Sequence, residues 1–106
     1  MAATRLLQIQ EMLKSEPNDS FLNYALALEL AKSNEIKKSI EIIEALLQRE
    51  PDYLGAYYQL GKFYEQSNSM EKSIEAYSRG IVIAKKNNNR KAESELNEAL
   101  FVLKDE

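Results

Sequence analysis

The chain has 106 residues, a net charge of −3, 44% hydrophobic and 29% charged residues, and neither cysteine nor histidine. The lack of cysteine excludes disulfides and thiolate chemistry, and the acidic balance argues against a nucleic-acid surface, which needs clustered Lys and Arg. No apolar run approaches the roughly 20 residues that span a bilayer, and polar residues from Gln8 to Glu11 interrupt any secretory signal. We therefore expect one cytoplasmic domain over residues 1–106 with no nucleic-acid or membrane partner.

Helical periodicity, with only three glycines and two prolines, predicts an all-α fold of about six helices. The expected turns are short segments rich in Pro, Asn and Ser, in which Asn tolerates the left-handed backbone that ends a helix. The predicted helices are Ala2–Ser15, Ser20–Lys32, Glu35–Arg49, Tyr53–Gln66, Met70–Lys86 and Arg90–Lys104.

The fourth predicted helix contains the stretch AYYQLGKFY, residues 56–64. Tyr57, Leu60, Gly61 and Tyr64 are spaced i, i+3, i+4 and i+7, so they share one helix face. The glycine among large residues predicts that another backbone comes close at that point.

The chain repeats with a period of 34 residues, and nine identities align across one period where chance would give roughly two. The period superposes Pro17 on Pro51, Tyr24 on Tyr58, Leu26 on Leu60, Ser33-Asn34 on Ser67-Asn68, and Lys38-Ser39-Ile40-Glu41 on Lys72-Ser73-Ile74-Glu75. An internal helix–turn–helix repeat follows from this pattern.

A 34-residue helix pair with this pattern resembles the tetratricopeptide repeat (TPR) family. The aromatic, Leu-Gly and Tyr positions of the family's first helix match Tyr57, Leu60-Gly61 and Tyr64. The resemblance implies antiparallel helix pairs in a short right-handed α-solenoid. It divides the chain into a half repeat (2–16), repeat 1 (20–53), repeat 2 (54–87) and a capping helix (90–105).

Small residues are expected where the two helices of each repeat cross. Ala27 and Gly61 occupy this place on the first helices, and Ser39 and Ser73 face them from the second helices. Gly80, inside a helix at a cost of about 1 kcal/mol relative to Ala, is explained by close docking of the sixth helix.

The resemblance implies that first helices line a concave groove that holds a peptide or helix of a partner protein. The groove-facing candidates are Phe21, Tyr24, Leu28, Tyr58, Gln59, Lys62 and Glu65. Family members that capture a C-terminal carboxylate use Lys and Asn there, whereas only Lys62 supplies positive charge here. An apolar or mixed segment is therefore the expected ligand.

Purely structural roles are the alternative to a binding groove. Tyr24 and Tyr58 could be repeat-packing residues only, and Phe21 and Leu28 favour a role in the core or against the first helix. Lys85, Lys86, Arg90 and Lys91 form a basic cluster, which favours solvated helix ends over an anion site.

Catalysis is not expected, because the chain lacks the commonest proton shuttle and the strongest nucleophile, and no cofactor or metal site is indicated. Acidic pairs such as Glu93/Glu95 are expected to be solvated helix faces. The alternative to a partner-binding module or scaffold is a self-associating assembly domain. It is suggested by Leu6, Leu7 and Leu13, which exceed what one packing face of the first helix can bury.

Overall fold

This computed structural model describes residues 2–104 of the chain. Within this range the chain forms six α-helices joined by short turns. In chain order they are α1 (Ala2–Ser15), α2 (Ser20–Lys32), α3 (Ile36–Arg49), α4 (Gly55–Gln66), α5 (Met70–Lys86) and α6 (Arg90–Lys104). Those residues include no strand. The predicted all-α fold is confirmed, although residue 105 of the predicted cap lies outside the described residues. Within the same range no helix is both long and apolar enough to span a membrane.

Two helices begin later than the sequence predicts. Glu35 precedes α3 with φ −93° and ψ 54°, which is not helical, and its side chain makes no capping hydrogen bond. Before α4, the amides of Ala56 and Tyr57 bond to carbonyls three residues back, at Tyr53 and Leu54. Such tight i to i+3 bonds belong to a 3₁₀-like entry, so the regular helix starts only at Gly55.

Asparagines end three of the helices as predicted. Asn34, Asn68 and Asn88 follow α2, α4 and α5 with φ of 63°, 60° and 54°. Asn adopts this left-handed backbone more readily than most residues, which lets the chain reverse within a few residues. The helix pairs α2/α3, α4/α5 and α5/α6, each of which packs together, are therefore antiparallel.

The chain divides into two compact units, one ending at Glu50 and the other beginning at Pro51. In the first unit, α2 packs against both α1 and α3. The Ser39 hydroxyl on α3 donates to the carbonyl of Ala27 on α2 at 2.7 Å, and both residues are fully buried. This confirms the predicted close crossing in repeat 1. The prediction of a single domain over residues 1–106 stays a prediction.

In the second unit, α5 packs against both α4 and α6. The Ser73 hydroxyl donates to the Gly61 carbonyl at 2.8 Å, as predicted for repeat 2. A Cβ at Gly61 would lie 2.2 Å from Cε1 of Tyr77, so that ring fills the space which glycine leaves open. A Cβ at Gly80 would meet Tyr57 as well as Leu96 of α6, so docking of α6 explains this glycine only in part.

Several large apolar side chains are exposed. On α1, Ile9 is buried, whereas Leu7 is 65% and Met12 is 51% exposed. Leu7 precedes Ile9 by two positions, which turns it to the opposite side of the helix. Met70 is also exposed, because it is the first residue of α5 and lies at the end of its packing face.

Candidate functional site

A cleft of about 400 Å³ opens between α4 and α6 in the second unit. Tyr58, Lys62 and Glu65 line it from α4, where their i, i+4, i+7 spacing places them on one helix face. The neighbouring face of α4, with Tyr57, Leu60, Gly61 and Tyr64, is buried as predicted. One stretch of helix therefore serves the core on one side and the cleft on the other.

The second wall of the cleft comes from α6. Glu95, Glu98, Ala99 and Val102 line it with spacing i, i+3, i+4 and i+7, beside the face that buries Leu96. The sequence predicts a capping helix here and a solvated acid at Glu95, so none of these four residues is among the predicted site residues. The helical spacing of the four residues is the signal that could have identified this wall.

The α4 side of the cleft is held by polar contacts. The hydroxyl of Tyr77, a fully buried residue of α5, donates to Oε2 of Glu65. The Lys62 ammonium lies 3.9 Å from the same oxygen and 5.4 Å from the centre of the Tyr58 ring. The Tyr58 and Tyr77 rings, with centroids 6.0 Å apart, contact each other beneath the cleft. This arrangement limits the orientations open to Glu65.

The environment of Tyr77 favours its neutral form. Burial raises the pKa of the Tyr77 hydroxyl, and the hydrogen bond to the negative Glu65 carboxylate raises it further, far above the ordinary value near 10. At neutral pH the hydroxyl is therefore a permanent hydrogen-bond donor to Glu65, not a titrating acid.

A smaller hollow of about 150 Å³ adjoins the cleft toward the start of both helices. It shares Tyr58 and Glu95 with the cleft, and Leu54, Ala92 and Leu96 give it an apolar surface. The two depressions together follow α4 and α6 along their length.

The predicted groove residues fall in both units. Tyr58, Lys62 and Glu65 meet in the cleft, whereas Gln59 is half-buried on α4 and does not line it. Phe21, Tyr24 and Leu28 lie on α2 in the first unit. Phe21 is 65% exposed, so it is not a core residue, while Tyr24 and Leu28 are half-buried. That these seven residues form one binding site stays a prediction.

The cleft does not resemble a metal or anion site. Three carboxylates and one ammonium group surround it, and residues 2–104 contain no group of three or more acidic side chains placed to hold a metal ion. The basic cluster Lys85, Lys86, Arg90 and Lys91 lies at the turn between α5 and α6, where all four residues are exposed.

Helix pairs repeated every 34 residues, with small residues at each crossing, define a helical-repeat protein. The chain belongs to the tetratricopeptide repeat family. It is 36% identical to a tetratricopeptide repeat domain protein from Salinibacter ruber, whose solution structure superposes with a TM-score of 0.79 over 83% of this chain and 89% of that chain.

A curated relative supports the same family. A TPR repeat-containing protein of Methanocaldococcus jannaschii is 30% identical over 81 residues, which are 76% of this chain and 25% of the relative. The chain thus spans about a quarter of the length of that relative. No family model matches the chain.

The fold is also similar to that of the TPR2B domain of yeast Sti1, solved in a complex with pHsp70. The TM-score is 0.88 over 98% of this chain and 83% of that chain, at 16% identity. At this identity the similarity shows the fold alone.

Proposed function

We propose that this protein is a non-catalytic interaction module or scaffold that binds a peptide or helical segment of a partner protein. The cleft between α4 and α6 is the observation that carries the proposal, because it combines an aromatic wall, an exposed apolar side chain and fixed charges. Tyr58, Lys62 and Glu65 are the proposed contacts within the cleft, and Gln59 is a further proposed contact on α4 outside it.

The first unit supplies a second proposed contact surface, made of Phe21, Tyr24 and Leu28 on α2. An exposed phenylalanine beside a half-buried tyrosine is a suitable anchor for an apolar side chain. The TPR2B domain of Sti1 in its pHsp70 complex gives a precedent for partner binding by this fold. The proposal includes a cytoplasmic location and involves no cofactor, nucleic acid or membrane.

A peptide-display selection tests this function. The chain is immobilised and presented with a library of random twelve-residue peptides, and the affinities of recovered peptides are measured by fluorescence anisotropy. We expect recovered peptides to bind the Tyr58→Ala variant at least roughly tenfold more weakly, because an aromatic contact in the cleft is lost.

The control is Phe101→Ala, which removes an exposed aromatic side chain of α6 that does not line the cleft. It should bind the peptides as the unchanged chain does. Circular dichroism must show that both variants remain helical. Equal affinity for the unchanged chain and the Tyr58→Ala variant would refute the placement of the site, and a library that yields no binder would refute the function.

Self-association is the alternative, and exposed apolar side chains favour it. Leu7 and Met12 on α1, and Phe101 and Val102 on α6, are all more than half exposed. Such side chains can form contacts between copies of a chain. Light scattering over a hundredfold range of concentration decides this alternative, since a monomeric mass throughout would exclude it.

A further inference from the structure

We infer that the α4–α6 cleft takes a Lys or Arg side chain of the partner segment, and that the adjoining hollow takes an apolar side chain next to it. This inference rests on the proposed function and adds the chemistry of the ligand. It depends on the charges, the shape and the fixed geometry of the cleft.

The charges are complementary to a cation. Glu65, Glu95 and Glu98 line the cleft against the single ammonium group of Lys62. Lys62 lies beside Glu65 and over Tyr58. Within the described range of residues 2–104, no cation lies at ion-pair distance from Glu95 or Glu98. Two carboxylates on the α6 wall are thus available to a basic side chain, while an acidic one would meet like charges.

The shape fits a long side chain with a charged end. Tyr58, Ala99 and Val102 offer apolar surface within the cleft, and Val102 is 57% exposed. The methylene stem of Lys or Arg can cover this surface while its charged group reaches the carboxylates. A short polar side chain would leave Val102 exposed to water.

One of the acceptors is oriented before binding. Tyr77 donates to Glu65 from the core and is itself held against Gly61. A carboxylate with a fixed orientation loses less entropy when a ligand binds, which favours affinity. Tyr77 therefore acts as a positioning residue for the cleft.

The hollow sets the neighbouring residue of the ligand. Leu54, Ala92 and Leu96 form its apolar surface, and its volume of about 150 Å³ suits one aliphatic side chain. Because it shares Tyr58 and Glu95 with the cleft, a basic and an apolar residue close together in the partner segment can occupy both.

The experiment is a double-mutant cycle on peptides from the display selection described above. The strongest binder is synthesised unchanged and with its basic residue replaced by norleucine, which keeps the stem and removes the charge. Both peptides are titrated against the unchanged chain and against Glu95→Gln/Glu98→Gln. We expect the recovered peptides to contain Lys or Arg beside an aliphatic residue. The variant should bind the unchanged peptide roughly tenfold more weakly and the norleucine peptide with nearly unchanged affinity.

The matched control is Glu41→Gln/Glu75→Gln, which removes the same charge at exposed positions of α3 and α5 outside the cleft. It should leave both affinities unchanged. The inference would be overturned if the binders lacked basic residues. It would also be overturned if Glu95→Gln/Glu98→Gln and the control Glu41→Gln/Glu75→Gln lowered the affinity equally. In both cases the proposed function would still stand. If the library yields no binder at all, the inference and the proposed function both fail.

Discussion

Each of the two repeats contains an equivalent buried hydrogen bond between its two helices, but the residues around this bond differ. Ser39 and Ser73 are equivalent residues 34 positions apart, and each donates from a fully buried hydroxyl to the first helix of its repeat. The acceptor carbonyl belongs to Ala27 in the first repeat and to Gly61 in the second. Two distances of 2.7 and 2.8 Å show that the same close crossing is built twice.

The two repeats also differ on the second helix, which faces Ala27 in the first repeat and Gly61 in the second. Ile43 in the first repeat corresponds to Tyr77 in the second, and both are fully buried. The Tyr77 ring occupies the place that a Cβ on Gly61 would need. A larger side chain on one helix is thus matched by a smaller one on the other, and only the tyrosine carries a hydroxyl that can reach Glu65.

The largest expected effect is that of Gly61→Ala. The new methyl group would lie 2.2 Å from the Tyr77 ring, which is packed on all sides and cannot move cheaply. We expect the free energy of unfolding to fall by about 2–3 kcal/mol, as in other overpacked cores, although alanine is the better helix former. Urea denaturation followed by circular dichroism measures this loss.

The first repeat provides the comparison for that variant. Ala27→Gly should cost about 1–2 kcal/mol, because the usual penalty of glycine in a helix adds to the loss of a fully buried methyl group. Adding Tyr77→Ile to Gly61→Ala recreates the Ala27/Ile43 pair, so the double variant should lose at least ~1 kcal/mol less than the sum of the single losses. Strict additivity would mean that Gly61 and Tyr77 are not matched in the way the structure indicates.

The repeats differ at a second buried position. Glu29 is 4% exposed, and its equivalent in the second repeat is the buried Phe63. Its two oxygens lie 3.1 Å from Arg5 Nε of α1 and 3.1 Å from Lys32 Nζ. Neither contact has hydrogen-bond geometry, so the attraction is coulombic. A buried carboxylate depends on such partners, whereas phenylalanine needs none.

Arg5→Ala should therefore destabilise the first unit by about 1–2 kcal/mol, less than a fully buried pair because the Arg5 side chain is 64% exposed. Lys14→Ala is the matched control on the same helix, since Lys14 pairs with Glu11 only at the surface, and its cost should stay below ~0.5 kcal/mol. Urea denaturation gives both values. Adding Glu29→Leu should recover most of the Arg5→Ala loss, and equal costs at Arg5 and Lys14 would show that burial of Glu29 is unimportant.

Much of the fold could be predicted from the sequence, because helix pairs that pack in the same way place similar residues at equivalent positions every 34 residues. The crossings at Ala27/Ser39 and Gly61/Ser73, and the Tyr58–Glu65 face of α4, all follow from spacing along one or two helices. The α6 wall could not be predicted in the same way, since α6 lies after the second repeat and does not continue its pattern. The burial of Glu29 depends on Arg5 of another helix, and such tertiary pairing leaves no local signal.

The smallest effect concerns the hydroxyl of Tyr77. Tyr77→Phe keeps the ring against Gly61 and removes only the hydrogen bond to Glu65, so stability at pH 8 should fall by about 1 kcal/mol. The first repeat has Ile43 at this position, so it has no equivalent hydrogen bond.

The same variant should change how stability depends on pH. The pKa of Tyr77 is raised in the folded chain, so its contribution is complete below the unfolded value near 10 and is lost as pH rises above it. The unfolded chain then releases a proton that the folded chain keeps, and the advantage of the unchanged protein over Tyr77→Phe should shrink by up to ~1.4 kcal/mol per pH unit. Urea denaturation at pH 8, 10 and 11 measures the two curves, which should converge near pH 11.

Glu65→Gln separates the two causes of the raised pKa. It removes the negative charge beside the hydroxyl and leaves the Tyr77 ring buried. Because burial is the larger cause, most of the steep decline above pH 10 should persist in this variant. A decline as shallow as that of Tyr77→Phe would instead make the carboxylate the dominant cause. In that case the raised pKa of Tyr77 would be due to the charge of Glu65 in the cleft more than to the burial of the Tyr77 ring against Gly61.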